Sequence, residues 1–192
     1  MIMEASKKRI STRDLAIIPI FSVLTAVGAF IRIPIGIVPV SLQTVFVVIS
    51  ALLIGKKAAY SQLIYVLLGL LGLPIFTGGG GIGYILTPTF GYLVGFVLSA
   101  LAMGYLKDSL KSYSLIKLLS IAFLGLLIIY SSGVIYLYLL KNLILSGSSL
   151  GLTQAVRFGA LIFLPMDTIW CSLGAALSLR LLKHPYFSRK TR

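Results

Sequence analysis

Cysteine, histidine and acidic residues are scarce in this sequence of 192 residues, and each shortage excludes a kind of chemistry. Cys171 is the only cysteine, which excludes an intramolecular disulfide and a thiolate metal cluster. His184 is the only histidine, which excludes a histidine-based catalytic triad and a cluster of histidine metal ligands. Only four residues are Asp or Glu, and just one falls inside an apolar segment, so no carboxylate pair is available there for acid–base catalysis. We therefore expect a protein that is not an enzyme and that holds no metal ion or cofactor.

What the sequence has in excess is apolar and basic residues. Hydrophobic residues make up 58% of the chain, charged residues make up 11%, and the mean hydropathy is +1.05. This composition is typical of an integral membrane protein. The net charge of +13 does not indicate nucleic-acid binding, because the Lys and Arg residues form short clusters between apolar segments rather than one basic face. That pattern favours the lipid bilayer, with anionic lipids beside the basic clusters.

Six segments are apolar and long enough, or nearly so, to cross a bilayer core of about 30 Å as helices. They lie at residues 15–31, 40–54, 58–73, 84–106, 115–140 and 158–182. The second and third are short, so we expect them to tilt, to be extended by flanking residues or to pack inside the bundle. The sequence therefore predicts an all-α integral membrane protein, a six-transmembrane-helix bundle that forms a single domain over residues 1–192.

The basic residues are divided unevenly between the two sides of this bundle. Of the 17 Lys and Arg residues, all but Arg32, Lys141 and Arg157 belong to the two ends of the chain or to the connections after the second and fourth segments. Because cytoplasmic loops carry the excess of Lys and Arg, the tails at residues 1–14 and 183–192 are predicted to be cytoplasmic, in a membrane of the bacterial inner-membrane type. The connections at residues 32–39, 73–83 and 141–157 then lie outside, where we expect them to roof a cavity.

The run PIFTGGGGIG at residues 74–83 contains G-x-G-x-x-G, the pattern of dinucleotide-binding loops. A dinucleotide site also needs a preceding strand, a following helix and an acidic residue about 20 positions later, and the sequence around the run provides none of these. Four consecutive glycines instead allow positive φ angles and a close approach of backbone N–H groups to a ligand. A mobile external turn that binds nothing remains the alternative.

Asp167 is the only acidic residue inside a predicted membrane helix. A carboxylate there is costly and usually marks a site or pathway for a ligand, an ion or a proton. If the last helix enters from outside at residue 158, Asp167 lies about 13 Å deep, at the level of the predicted cavity. Pro165 can kink the helix beside it. The alternative is a structural ion pair, or a protonated and hydrogen-bonded carboxyl group.

Two weaker patterns have structural alternatives as well. The aromatic residues near the glycine run and Asp167 are Phe76, Tyr84, Phe90, Tyr92 and Trp170. They either anchor the protein at the membrane interface or stack on a ligand. Ser22 and Ala26 are small residues four positions apart in the first helix, which lets another helix approach closely, in a partner or within the bundle.

Four stretches resemble landmarks of a known family, in the same order along the chain. They read VPVSLQT at residues 38–44, LGLLGLPIFTGGGGIG at 68–83, TPTFGYLVGF at 87–96 and LPMD at 164–167. With them the sequence resembles the BioY family, the biotin-binding S components of energy-coupling-factor (ECF) vitamin transporters, over nearly the whole chain. The resemblance implies biotin in an outward pocket, and a coupling subunit with a pair of ATPases as partners. It also implies that Ser22 and Ala26 contact the coupling subunit.

The resemblance further implies which residues bind biotin. Asp167 would accept hydrogen bonds from the two N–H groups of the ureido ring, and Thr77 or loop N–H groups would serve the ureido carbonyl. The thiolane ring would pack on Phe76, Tyr92 or Trp170. The full set of predicted ligand-binding residues is Gln43, Phe76, Thr77, Gly79, Gly80, Tyr84, Tyr92, Arg157, Asp167 and Trp170.

The last-helix motif departs from the family pattern, in which P-G-D is followed three residues later by a lysine. Met166 replaces the glycine and Trp170 replaces the lysine. If that lysine normally balances the biotin carboxylate, another base must do so here, and Arg157, Lys141 and Arg32 are the external candidates. Two alternatives follow for the function: an S component for another vitamin, or a membrane scaffold or channel-like protein with an internal ion pair.

Overall fold

Helices dominate the computed structural model, which describes residues 11–34, 38–144 and 150–184. The α-helices are α1 (Thr12–Phe30), α2 (Gln43–Ile54), α3 (Ala58–Leu70), α4 (Phe90–Ser109), α5 (Leu115–Leu139), α6 (Leu152–Val156) and α7 (Leu164–Leu182). Two short strands, β1 (Arg32–Ile33) and β2 (Val40–Ser41), pair antiparallel after α1. The prediction of an all-α protein is thus confirmed to the extent that the described chain is mostly helical, with two short strands beside the helices. Most of the two predicted basic tails lies outside the described residues, as do residues 35–37 and 145–149 of the predicted external connections.

Five stretches of the described chain are long and apolar enough to cross a membrane. Their bounds are Thr12–Phe30, Gln43–Leu70, Phe90–Ser109, Leu115–Ile144 and Leu152–Leu182. The second stretch is a hairpin, because the Gln43 side chain donates a hydrogen bond of 2.6 Å to the Tyr65 hydroxyl. These residues are 22 positions apart, a separation of about 33 Å along one continuous helix. The chain therefore reverses at the short 3₁₀ segment Gly55–Lys57, between α2 and α3.

Three predicted helices begin later than expected. The predicted start at residue 40 is wrong because this residue belongs to β2. The predicted start at residue 84 falls in the 3₁₀ segment Ile82–Leu86, and α4 begins only after it. The predicted start at residue 158 falls in the π-helical segment Arg157–Leu161. Pro165 lies in the first turn of α7, where its missing N–H removes no helical hydrogen bond, so the helix begins just before it.

The most extensive helix pair is formed by α4 and α5. A Cβ atom at Gly95 of α4 would lie 2.9 Å from the Cα atom of Ile129 on α5, so the missing side chain lets the two backbones approach. Ser132 of α5 also donates a hydrogen bond of 2.8 Å to the Gly91 carbonyl of α4. Small residues and interhelical hydrogen bonds are the usual means by which membrane helices associate. The pair forms a wall against which α2 packs.

Polar side chains fill the space between α1, α2 and α3. Thr25 and Gln62 have no exposed surface, and Gln62 Nε2 donates to the Thr25 hydroxyl at 3.2 Å. Ser22 is buried as well and donates to the Ser61 carbonyl at 2.7 Å. Its hydroxyl thus packs α1 against α3 within the chain, and the contact of Ser22 and Ala26 with a coupling subunit stays a prediction. Ala26, one turn later, is half-buried.

Two acidic residues anchor the turn between α2 and α3. Asp14 forms a capping box with Ser11 at the start of α1, and its carboxylate also accepts a hydrogen bond from Lys57 Nζ at 2.6 Å. Asp108, near the end of α4, accepts a hydrogen bond of 3.1 Å from the Lys56 backbone N–H. The start of α1, the α2–α3 turn and the end of α4 therefore meet at one end of the bundle. We call the end that contains Asp14, Lys56, Lys57 and Asp108 the lysine end.

Candidate functional site

A buried cavity lies at the opposite end of α2 from the lysine end. It is enclosed by residues 38–41, the starts of α2 and α7, the glycine run, and the facing sides of α4 and α5. Its free volume is about 50 Å³, which is room for one or two water molecules at about 30 Å³ each. The apolar part of its wall consists of Val38, Pro39, Val40, Leu93, Phe96, Ile129 and Phe163. The rest of the wall carries hydroxyl, amide and carboxylate groups.

Of the described residues that line this cavity, Asp167 is the one that carries a charge. Asp167 lies in the first turn of α7, and the positive end of the helix dipole there favours a negative charge. Asp167 is only 5% exposed. The Tyr130 hydroxyl on α5 donates a hydrogen bond of 2.5 Å to Asp167 Oδ2, and Thr44 of α2 lies beside the same carboxylate. Neutral donors thus hold the carboxylate, and its remaining lone pairs are available to a ligand.

Gln43 contributes an amide group to the wall from the start of α2. The Ser41 hydroxyl donates to Gln43 Oε1 at 3.0 Å, and Gln43 Nε2 donates to the Tyr65 hydroxyl at 2.6 Å. Tyr65 in turn donates to the Ile75 carbonyl at 3.0 Å. Gln43 therefore connects α2 and α3 to the residues just before the glycines, and this fixes the orientation of its amide group.

Three hydroxyl groups from the glycine run and the residues after it form a cluster in the wall. Thr77 Oγ1 and Tyr84 Oη are 3.0 Å apart, and Thr89 Oγ1 donates to Tyr84 Oη at 2.8 Å. Both Thr77 and Tyr84 are buried. We call Thr77, Tyr84 and Thr89 the hydroxyl cluster.

The glycine run is an ordered turn that places Thr77 in the cavity wall. Phe76 and Gly79 exchange two backbone hydrogen bonds of 2.8 and 3.2 Å across this turn. Gly79 has a φ angle of 118°, which glycine adopts far more readily than other residues. A Cβ atom at Gly80 would collide with the Leu73 carbonyl. The glycines therefore serve a close-packed turn, and the Phe76 ring is buried against two tyrosine rings behind it.

The cavity brings together only part of the predicted ligand-binding set. The predicted residues that line it are Gln43, Thr77, Tyr84, Tyr92 and Asp167. Phe76, Gly79 and Gly80 lie in the turn that supports Thr77 and are not part of the wall. Trp170 is 36% exposed on α7, and Arg157 lines a separate open groove on the surface. The structure therefore separates both of these side chains from Asp167.

The wall residues that were not predicted from the sequence include Thr44, Thr89, Tyr130 and Phe163. Thr44 and Thr89 lie in the stretches that carry the family resemblance. Tyr130 belongs to no motif, yet it lies on the buried face of α5, four positions after Leu126. A buried tyrosine hydroxyl usually finds a hydrogen-bond partner, so its place on that face is the signal that identifies it. Its ring stacks on Phe163, with the ring centroids 6.4 Å apart.

Both the sequence and the fold of this chain are similar to those of proteins named for biotin transport. Residues 3–185 match the model of the BioY family. A protein of Lysinibacillus sphaericus named "Probable biotin transporter BioY" is 48% identical over 143 residues, which cover 74% of this chain and 73% of that protein. The "Biotin transporter BioY" of Thermotoga maritima is 39% identical over 166 residues, which cover 85% of this chain and 92% of that protein. A crystal structure of the S-component for biotin from an ECF-type ABC transporter is similar with a TM-score of 0.83 and 26% identity, covering 94% of this chain and 96% of that chain.

Proposed function

This chain belongs to the BioY family, and we propose that it captures biotin at the outer face of the membrane as the substrate-specific S component of an ECF transporter. Family membership, as predicted from the sequence, is confirmed. The observation that carries the proposal is the buried cavity in which neutral donors hold Asp167. The relatives support biotin as the ligand, since they are named biotin transporters, and the solved structure supports the S-component role.

Asp167 matches the ureido ring of biotin. The ring has two N–H donors, and a carboxylate offers two oxygens as acceptors. Tyr130 and Thr44 hold this carboxylate at the cavity wall. Leu93, Phe96 and the other apolar wall residues provide a surface for the thiolane ring and the valeryl chain, whose burial is favourable. Polar groups thus fix the orientation of the ligand, and apolar contacts contribute affinity.

The cavity must enlarge for biotin to enter. Its free volume of about 50 Å³ is far smaller than a bicyclic vitamin with a side chain. The helices that line it are packed against one another, whereas residues 38–41 and Thr77 of the glycine run belong to the connections between helices. We expect these two segments to move outward during binding, and the helices to keep their positions.

We propose a finer topology that the hairpin and the lysine end support. The reversal of Gln43–Leu70 at Gly55–Lys57 supports six crossings for the five apolar stretches, with both ends of the chain on the same side. Asp14 and Asp108 bring the basic clusters at the start of α1, at the α2–α3 turn and at the end of α4 together. The positive-inside rule supports a lysine end that faces the cytoplasm of a bacterial-type inner membrane, with the cavity toward the outside.

The proposed partners are a coupling subunit and a pair of ATPases. Their support is the similarity to an S-component that belongs to an ECF-type ABC transporter. We propose that this chain is a transport subunit without its own ATPase, and that biotin is the transported ligand rather than a cofactor.

The test is equilibrium binding of radiolabelled biotin to the purified chain in detergent. We expect saturable binding of one biotin per chain, displaced by unlabelled biotin and not by a panel of other vitamins. Displacement by another vitamin at lower concentration than biotin would identify an S component for that vitamin. A chain that binds none of them would contradict the transport role and leave the scaffold interpretation.

A further inference from the structure

An open groove on the surface follows α6 and the π-helical segment after it, apart from the cavity that contains Asp167. Its free volume is about 560 Å³. Arg157 is the one charged residue that lines it, and Thr153, four positions earlier on the same side of the helix, adds a hydroxyl group. The other lining residues are apolar, and they are Leu152, Val156, Leu161 and Ile162. The groove therefore combines an apolar surface with a single cation.

The π-helical turn determines which side chains line the groove. The Ile162 N–H donates to the Arg157 carbonyl, five positions earlier, at 3.3 Å. This spacing places Ile162 on the same side of the helix as Arg157. It also aligns Leu161 with Val156, where an α-helix would place the much smaller Ala160. The wider turn thus extends the apolar surface beside the cation, and such turns are frequent at functional sites.

Arg157 is exposed, and within the described residues no carboxylate pairs with it. The described acidic residues lie elsewhere, since Asp14 and Asp108 belong to the lysine end and Asp167 belongs to the cavity wall. A charged side chain among apolar ones in a membrane is costly unless an opposite charge accompanies it. The groove therefore favours an anionic ligand that also has an apolar part.

The groove faces the surrounding lipid near one end of a membrane-crossing stretch. It begins the stretch Leu152–Leu182, of which an apolar window is only 28% buried in the protein, against 44% to 67% in the other four stretches. On the inner side of the π-helical segment, the Tyr92 hydroxyl of the cavity wall donates to the Gly159 carbonyl at 2.6 Å. The groove thus lies at the cavity end of the bundle, at the level where lipid headgroups meet the protein.

We propose that this groove binds an anionic phospholipid, such as phosphatidylglycerol, from the leaflet at the cavity end. The Arg157 guanidinium and the Thr153 hydroxyl donate to the phosphodiester, whose geometry suits the planar fork of an arginine. One acyl chain lies along the apolar residues of the groove. Because no described carboxylate is present there to receive an ammonium group, phosphatidylglycerol is favoured over phosphatidylethanolamine. This site goes beyond the proposed function and does not depend on which vitamin the cavity binds.

The test is photo-crosslinking of the purified full chain, in mixed micelles, with a phosphatidylglycerol that carries a diazirine on one acyl chain. Mass spectrometry of the crosslinked peptides separates this groove from the lysine end, which also attracts anionic lipids. We expect a crosslink within residues 152–162. Unlabelled phosphatidylglycerol should displace it at about fivefold lower concentration than phosphatidylethanolamine with the same acyl chains, which is the contribution of one basic residue. Inorganic phosphate should not displace it, because it has no apolar part.

Variants of the chain separate the charge from the apolar surface. Arg157→Gln should remove the preference between the two lipids at this crosslink, whereas Arg157→Lys should keep about a twofold preference, because it retains the charge without the fork. Leu161→Ala should weaken both lipids by a similar factor of about three. Arg32→Gln is the matched control, since Arg32 is an exposed arginine outside the groove, and it should change nothing. The melting temperature without added lipid should stay the same in all four variants, because each change is at an exposed residue.

Several results would overturn the inference. Equal displacement by the two lipids in the unmodified protein would show that the groove does not select an anionic headgroup. A preference that survives in Arg157→Gln, or that is lost equally in Arg32→Gln, would assign it to the surface charge as a whole. Displacement by inorganic phosphate would indicate a site for free anions. A dimer that is crosslinked at the lysine end and not within residues 152–162 would show that a second copy of the chain covers the groove.

Discussion

The acidic residues at the two ends of the bundle differ in the partners that hold their carboxylates. At the lysine end, Asp14 pairs with Lys57 at 2.6 Å, and Asp108 accepts from the Lys56 backbone and lies 3.5 Å from Lys107 Nζ. At the cavity end, Asp167 accepts from the Tyr130 hydroxyl, a neutral group. The acidic residues at the lysine end join segments of the chain to one another. Asp167 is held in place without its charge being cancelled.

This difference distinguishes a structural carboxylate from one that is prepared for a ligand. A buried charge is costly unless it is hydrogen-bonded. Tyr130, Thr44 and the start of α7 reduce that cost for Asp167, but none of them is a counter-ion. A ligand that brings N–H donors therefore gains more at Asp167 than at a carboxylate that already has a lysine. The comparison predicts that changes at the two ends separate into effects on binding and effects on stability.

Of the changes considered, Asp167→Asn should have the largest effect on biotin affinity. Replacing one acceptor oxygen by an N–H₂ group places donor against donor at the ureido ring, and we expect a loss of biotin affinity of about 100-fold. Equilibrium binding of radiolabelled biotin measures it. Asp108→Asn makes the same change at the lysine end and should keep the affinity within about twofold. Equal losses in both variants would remove the distinction between the two ends.

Gly80→Ala should destabilise the protein by about 2 kcal/mol and weaken biotin binding with it, because the added methyl group meets the Leu73 carbonyl. Thermal unfolding of the purified protein measures the first effect. Gly83→Ala is the matched control, since no heavy atom lies within 4 Å of a Cβ atom there. If both variants unfold at the same temperature as the unmodified protein, the turn does not depend on a close approach at Gly80.

Tyr130→Phe removes the donor that holds Asp167 and should weaken biotin about tenfold, and it should also lower the melting temperature because a buried carboxylate loses a hydrogen bond. Tyr60→Phe is the control, because Tyr60 is 55% exposed and lies outside the cavity. In the double variant with Asp167→Asn, the Tyr130 change should cost much less than it does alone, because the two groups act together. Additive losses would show that Tyr130 contacts the ligand independently.

Lys57→Gln should have the smallest effect on stability and on biotin affinity. It breaks the ion pair with Asp14, but the Lys57 side chain is 38% exposed, so we expect a loss of stability of at most about 1 kcal/mol and no change in biotin affinity. The melting temperature should become less dependent on salt than that of the unmodified protein. Lys111→Gln, at an exposed lysine after α4, is the reference. A marked loss of biotin binding in Lys57→Gln would show that the two ends are coupled.

Composition and motifs predicted the class of the protein well, but helix boundaries less well. Long apolar segments such as α5 were recognisable because every turn of the helix is apolar. The starts of α2, α4 and α7 were placed too early, because residues 40, 84 and 158 are apolar enough for a helix and lie instead in a strand, a 3₁₀ segment and a π-helical segment. Local composition does not distinguish these conformations, because β2 depends on its pairing with β1, and the 3₁₀ and π segments differ from an α-helix only in hydrogen bonds that span three or five residues.

The amino-acid sequence by itself determined that the chain is a membrane protein, that its basic residues cluster between apolar segments, that Asp167 is the acidic residue inside an apolar segment, and that the chain resembles the BioY family. Only the tertiary structure decided that Tyr130, 37 positions away, holds that carboxylate, and that Thr77 rather than Trp170 or Arg157 lies in the same cavity wall. The reason is physical. Burial and charge are properties of residue types and can be read along the chain, whereas a hydrogen bond between two helices depends on which of their faces pack together.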